Sequence, residues 1–168
     1  IKLDIELPDV ATFSVHQKLS DQWEMMGDVS WTGWAKIPRL SIFRTNGALL
    51  SNTEENWRNT VRVAFGGAYK YSDALKLRMG VAYDQTPVED DFRTPRLPDS
   101  DRYWLSFGGQ YKVSAAGAID FGYTHVFIKD GKIRDNAGGG QSQALQGILI
   151  GDYKNSVDIL AVQYTHNF

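Results

Sequence analysis

Apolar and polar side chains alternate with a period of two along most of this chain. That pattern admits β-strands and little else. Seven stretches carry it. In the first, Ile1 to Leu19, residues Ile1, Leu3, Ile5 and Leu7 alternate with Lys2, Asp4 and Glu6, and Phe13 and Val15 resume the parity beyond Pro8. Proline has no N–H for a ladder, so one strand bent or bulged at Pro8 is expected. The second runs from Trp23 to about Ile37, the third from Trp57 to Tyr71, and the fourth from Leu75 to Asp84. The fifth spans Arg102 to Val113, the sixth Ala118 to Lys129 and the seventh Ser156 to Phe168.

The connections alternate in length. Ser20-Asp21-Gln22, Ser72-Asp73-Ala74 and Ser114-Ala115-Ala116-Gly117 are short and built from turn residues, whereas segments 38–56, 85–101 and 130–155 are long. Short turns at one rim and long loops at the other are the signature of an outer-membrane barrel, and soluble sandwiches lack it. Several strands reach about ten residues, the length of a tilted bilayer crossing. Aromatic residues crowd the strand ends (Trp23, Trp57, Tyr69, Tyr71, Tyr83, Tyr103, Tyr111), where an interfacial girdle belongs. The expected fold is all-β: a transmembrane antiparallel up-and-down barrel, with odd-numbered side chains from Ile1 through Phe127 on lipid and their even neighbours inside. Phe168, ending a strand with Leu160, Val162 and Tyr164 on one face, resembles a C-terminal assembly signal of such proteins.

No window approaches 18 consecutive apolar residues, so a transmembrane helix is excluded. Mean hydropathy of −0.36 does not contradict a membrane barrel, because lumen and lipid faces average out. The net charge of −2 gives no basic field for nucleic acid. The absence of cysteine removes disulfides, thiolate metal sites and thiol nucleophiles. His16, His125 and His166 lie on different strands without ligand spacing, so no metal or other cofactor is expected. Gly138-Gly139-Gly140 lacks the Lys-Ser/Thr and helix of a phosphate loop and reads as a loop tip. Ser14 and His16, with Asp28 and Ser30 on the next strand, form no activated nucleophile, so the chain is not expected to be an enzyme.

Three stretches resemble the FadL-type family of hydrophobic-compound transporters. They are WEMMGDVSWTGW from Trp23 to Trp34, WRNTVRVAFGGAYKYSDALKLRMGVAYDQTPV from Trp57 to Val88, and RLPDSDRYWLSFGGQYKVS from Arg96 to Ser114, leading into GYTHVFIKD from Gly122 to Asp130. Their order resembles the family's C-terminal half. The resemblance implies a monomeric barrel of fourteen strands, plugged by an N-terminal hatch, that takes up long-chain fatty acids or other hydrophobic small molecules. Residues 1–168 would then be the C-terminal part of one barrel domain among outer-membrane lipid. The hatch and first strands would lie outside this chain, which opens inside a strand and lacks a signal peptide. Seven strands leave the first and last parallel, with bare edges that lipid does not tolerate, so a missing half is required. Otherwise an eighth strand must lie around ALQGILIGDY in segment 130–155, or arise from a split at Pro8.

Inward parity, and for Lys129 strand direction towards the rim, selects the candidate ligand contacts. Lys36, Arg62, Arg78 and Lys129 are cations that could meet a fatty-acid carboxylate, Lys36 and Lys129 near the long-loop rim and Arg62 and Arg78 nearer mid-barrel. Lumen charges also commonly pair with one another, here with Glu24, Asp28, Asp84 and Asp120. Trp34 and Trp104 would either pack on the hatch or wall a tail pocket. The apolar loop Ile37–Leu50 offers a first capture surface. Its continuation, Ser51–Asn56, carries no cation where the family can have one, which leaves aromatic or other neutral hydrocarbons as alternative substrates. A structural or adhesion barrel and a general porin are further alternatives.

Overall fold

The computed structural model describes residues 1–135 and 149–167. Its strands are β1 (Lys2–Leu3), β2 (Val10–Lys18), β3 (Trp23–Thr32), β4 (Arg39–Phe43), β5 (Leu49–Glu54), β6 (Thr60–Lys70) and β7 (Leu75–Asp84), then β8 (Arg102–Lys112), β9 (Gly117–Ile128), β10 (Gly131–Asp135), β11 (Leu149–Tyr153) and β12 (Ser156–His166). Seven of them form one antiparallel sheet in the order β12-β9-β8-β7-β6-β3-β2. Each neighbour in the chain is also the neighbour in space, so the connectivity is a plain meander. The strands of this sheet are 9 to 12 residues long, enough to cross a bilayer at a tilt.

The three tight turns share one device. Ser20 Oγ accepts the backbone N–H groups of Gln22 and Trp23 at 3.2 and 3.1 Å. Ser72 Oγ does the same for Ala74 and Leu75, and Ser114 Oγ for Ala116 and Gly117. A serine opening each turn thereby satisfies two donors that the ladder leaves over and fixes the register.

Register turns the alternation into rows across the wall. Nearest the long-loop rim run Ser30, Arg62, Asp84, Arg102 and Ile128, and below them Asp28, Ala64, Ala82, Trp104, Val126 and Val157. A lower row carries Glu24, Ala68, Arg78, Gly108, Gly122 and Ala161. The opposite face is exposed and apolar, with Phe13, Trp31, Phe65, Val81, Phe107, Leu160 and Val162. This is the inverse of a soluble sheet and the arrangement a lipid-facing wall requires. Trp23 packs on Tyr69 at 4.5 Å near the short-turn rim and Tyr83 on Tyr103 at 5.0 Å near the long-loop rim, as a girdle at both interfaces demands.

The wall strands approach one another most closely at a glycine. A Cβ on Gly108 would lie 2.5 Å from the carbonyl oxygen of Phe121 on the neighbouring strand, so only glycine fits there.

Four expectations need correction. Ile1–Leu19 is not one bent strand. Pro8 separates β1, which pairs with β4 in a small β1-β4-β5 sheet, from β2 in the wall. The second strand stops at Thr32, because Gly33 leads into a 3₁₀ turn at Trp34–Lys36 that points the chain away from the ladder. Segments 38–56 and 130–155 are not plain loops: each contains an antiparallel pair, β4 with β5 and β10 with β11. Neither these pairs nor the split at Pro8 adds an eighth strand to the seven-stranded sheet. Gly138–Gly140, the first half of ALQGILIGDY and Phe168 lie outside the described residues, and the second half of that stretch forms β11.

Candidate ligand vestibule

At the long-loop rim the wall and its loops line an open hollow of about 700 Å³. The 3₁₀ turn after β3 contributes Trp34, and the segment before β6 contributes Trp57. The two rings meet edge to face at 5.4 Å. The loop between β7 and β8 adds Val88, Leu97 and Pro98, and the wall adds Arg62, Asp84 and Arg102. An apolar chamber with a few convergent polar groups is the usual form of a small-molecule site.

Local chemistry holds this chamber together. Asn59 Oδ1 accepts the N–H of Ala35 at 3.0 Å and ties the Trp34 turn to the start of β6. Glu55 accepts the indole N–H of Trp57 at 3.1 Å. Glu55 is 3% exposed, and burial pushes its carboxyl above the usual range, opposed by that hydrogen bond. Asn56, at φ 42°, lets the chain turn back towards the wall, and Pro38 O receives the N–H groups of both Glu55 and Asn56. On the other side, Thr86 donates its N–H to Asp101 and its hydroxyl to Asp99 at 2.7 Å, while Asn155 reaches Pro98 O at 3.3 Å. The lining is thus pinned from several strands.

The cations of the chamber already hold carboxylates. Arg102 contacts Asp84 at 3.0 Å and Asp99 at 3.4 Å, and Arg62 contacts Asp28 at 2.9 Å. A second cavity of about 430 Å³ lies over the glycine-rich middle of the wall, with Asp28, Arg62, Arg78, Trp104 and Thr124 in its lining. There Arg78 meets Asp120 at 3.5 Å, and Gln110 also serves Asp120. Towards the short-turn rim, Lys76 and His16 share Glu24 at 2.7 and 3.6 Å.

The six residues selected from sequence therefore separate. Trp34 and Arg62 come together in the vestibule, and Arg62, Arg78 and Trp104 share the lower cavity. Lys36 joins neither. It pairs with Asp9 at 2.8 Å and Glu6 at 3.3 Å, anchoring the segment after β1, and those two hydrogen bonds, Asp9's first, hold its ammonium above the ordinary lysine range. Lys129 lies at a third, polar hollow with Arg58, Asp101 and Asp130. Sequence reasoning missed Trp57, which it read as a girdle residue, and Arg102, which it took as the start of a strand. Their place beside Trp34 follows from the 3₁₀ turn and the loop folds, which alternation does not encode.

Fold and site together define a wall of an outer-membrane β-barrel that carries an amphipathic chamber at one rim. The description of one family, outer membrane protein transport protein (OMPP1/FadL/TodX), matches residues 1–168, and the chain belongs to that family. It is 33% identical over 99% of its length to an outer membrane protein of Neisseria meningitidis serogroup B, of which it covers 38%. It is 29% identical over 79% of its length to the long-chain fatty acid transport protein of Escherichia coli K12, of which it covers 30%. The crystal structure of a Pseudomonas aeruginosa FadL homologue superposes with a TM-score of 0.83 at 30% identity, over 95% of this chain and 35% of that one. The chain thus spans about a third of the relatives it matches.

Proposed function

We propose that this chain is the ligand-handling wall of a passive transporter that moves long-chain fatty acids across the outer membrane. The observation that carries the reading is the vestibule, where a pair of tryptophans meets Arg62 and Arg102 in one chamber. Trp34 and Trp57 accept an apolar tail, and a guanidinium receives a carboxylate in two-pronged fashion. Arg78 and Trp104 continue the path in the lower cavity. The wall works within a closed barrel completed by strands beyond this chain, as a single copy with its apolar face against outer-membrane lipid. The protein binds, guides and releases without breaking bonds.

Uptake of radiolabelled oleate by a deletion strain, with and without the full-length protein, tests this. Complementation restores uptake if the reading holds, and oleate uptake indifferent to the deletion overturns it. A second reading, uptake of neutral hydrocarbons such as toluene, is favoured by one observation: the vestibule arginines already hold Asp28, Asp84 and Asp99. Toluene uptake that depends on the protein while oleate uptake does not would select it.

A further inference from the structure

Arg62 is the one residue, among those described, that lines both the vestibule and the lower cavity. It belongs by register to the rim row, opposite Ser30 and Asp84, yet its Nη1 reaches down one row to Asp28 at 2.9 Å. Asp84 does not compete for it, because that carboxylate is engaged by Arg102 at 3.0 Å. The two arginines differ in how firmly they are held. Arg102 has two carboxylates, and its side chain is 29% exposed. Arg62 has Asp28 as its carboxylate, and its own side chain is 43% exposed. An arginine held by one carboxylate through a single hydrogen bond exchanges its partner more readily than one shared between two carboxylates.

We propose that Arg62 passes the head of an anionic amphiphile from the vestibule to the lower cavity by exchanging the Asp28 carboxylate for that of the ligand. This inference rests on the vestibule being the entry chamber and adds the side-chain exchange that selects a ligand by its head. Asp28 stands in for the ligand while the path is empty and keeps the guanidinium compensated. An arriving carboxylate replaces it with two parallel hydrogen bonds, which the monodentate contact with Asp28 does not provide. Arg78, held at 3.5 Å by Asp120 in the same lower cavity, is the next cation along the wall. A neutral ligand of the same shape gains nothing from the exchange, so the pair discriminates by head charge rather than by tail.

The test compares oleate with oleyl alcohol, which share a tail and differ in the head, using the full-length protein in outer-membrane vesicles. Arg62→Gln lowers the oleate-to-oleyl-alcohol uptake ratio at least tenfold, and Arg62→Lys recovers part of it. Asp28→Asn, which removes the competing carboxylate, raises oleate binding several-fold and serves as the independent readout if Arg62→Gln does not assemble. An unchanged ratio in Arg62→Gln, or unchanged oleate binding in Asp28→Asn, overturns the exchange while leaving the vestibule reading intact. Wild-type protein that takes up neither compound overturns the vestibule reading and the exchange together.

Discussion

Gly131 and Arg93 are packed so closely that a Cβ on the glycine would lie 3.1 Å from the guanidinium carbon of the arginine. Arg93 comes from the loop between β7 and β8 and is 2% exposed. It donates from Nε to Asp99 O at 3.0 Å and from Nη1 to Asp90 and to the carbonyl of Lys132 in β10. One buried side chain thus ties two long loops together beside the vestibule. Arg93→Ala would leave two carbonyls without their donor, a cost on the order of 3 kcal/mol confined to the loops. The expected result is faster proteolytic cleavage within 85–101 and 129–135, with the barrel still resistant. Gly131→Val should act in the same direction. Unchanged loop cleavage in both variants would contradict the clamp.

The two faces of the wall should respond oppositely to charge. Val81 is exposed on the apolar face at mid-strand, between Phe65 and Leu105 in register. Val81→Arg is expected to cost roughly 2–4 kcal/mol in urea unfolding from lipid, since a cation would enter hydrocarbon. Ser14→Arg places the same side chain on the inner face, in register with Asp28, and should cost well under half as much. Equal losses would mean that the faces are wrongly assigned.

Those faces were legible in the sequence because side-chain period and strand pairing share one geometry. Leu75–Asp84 was delimited to the residue, β6, β8, β9 and β12 within three residues at each end, and β3 ends five residues before the expected Ile37. The first strand failed because Pro8 does more than bend it: β1 is drawn off by β4, a partner nearly forty residues away that alternation does not reveal. The ion pairs failed for a related reason. Arg62 could be recognised as a lumen cation, but its choice of Asp28 over the facing Asp84 depends on Arg102 two strands along. Trp34 lines the vestibule although the strand predicted to carry it ends two residues earlier.

Acidity should tighten the tryptophan side of the vestibule. Burial raises the Glu55 carboxyl above its ordinary 4.5, so folding favours the protonated form. The sign follows from linkage: the contribution is complete below about pH 4.5 and is lost as pH rises through the elevated value. Amide hydrogen exchange in 54–60, compared at matched intrinsic rates, should therefore show more protection at pH 4.5 than at pH 7.5. Glu55→Gln keeps an acceptor for the Trp57 indole and should remove the difference. The same pH response in that variant would assign the effect to another group.

Two glycines separate close strand approach from mere backbone freedom. At Gly108 a methyl group would meet the Phe121 carbonyl at 2.5 Å and the Gly122 Cα at 3.2 Å, backbone atoms that move only if the strands part. At Gly27, on β3, the nearest atom is the Ala64 carbonyl oxygen at 3.5 Å, an ordinary contact. Gly108→Ala is therefore expected to cost about 1–3 kcal/mol through overpacking, and Gly27→Ala less than about 1 kcal/mol, with reduced unfolded-state entropy in its favour. Urea unfolding of the full-length protein in lipid compares them directly. Equal midpoints would show that the close approach of β8 and β9 at Gly108 does not require a glycine.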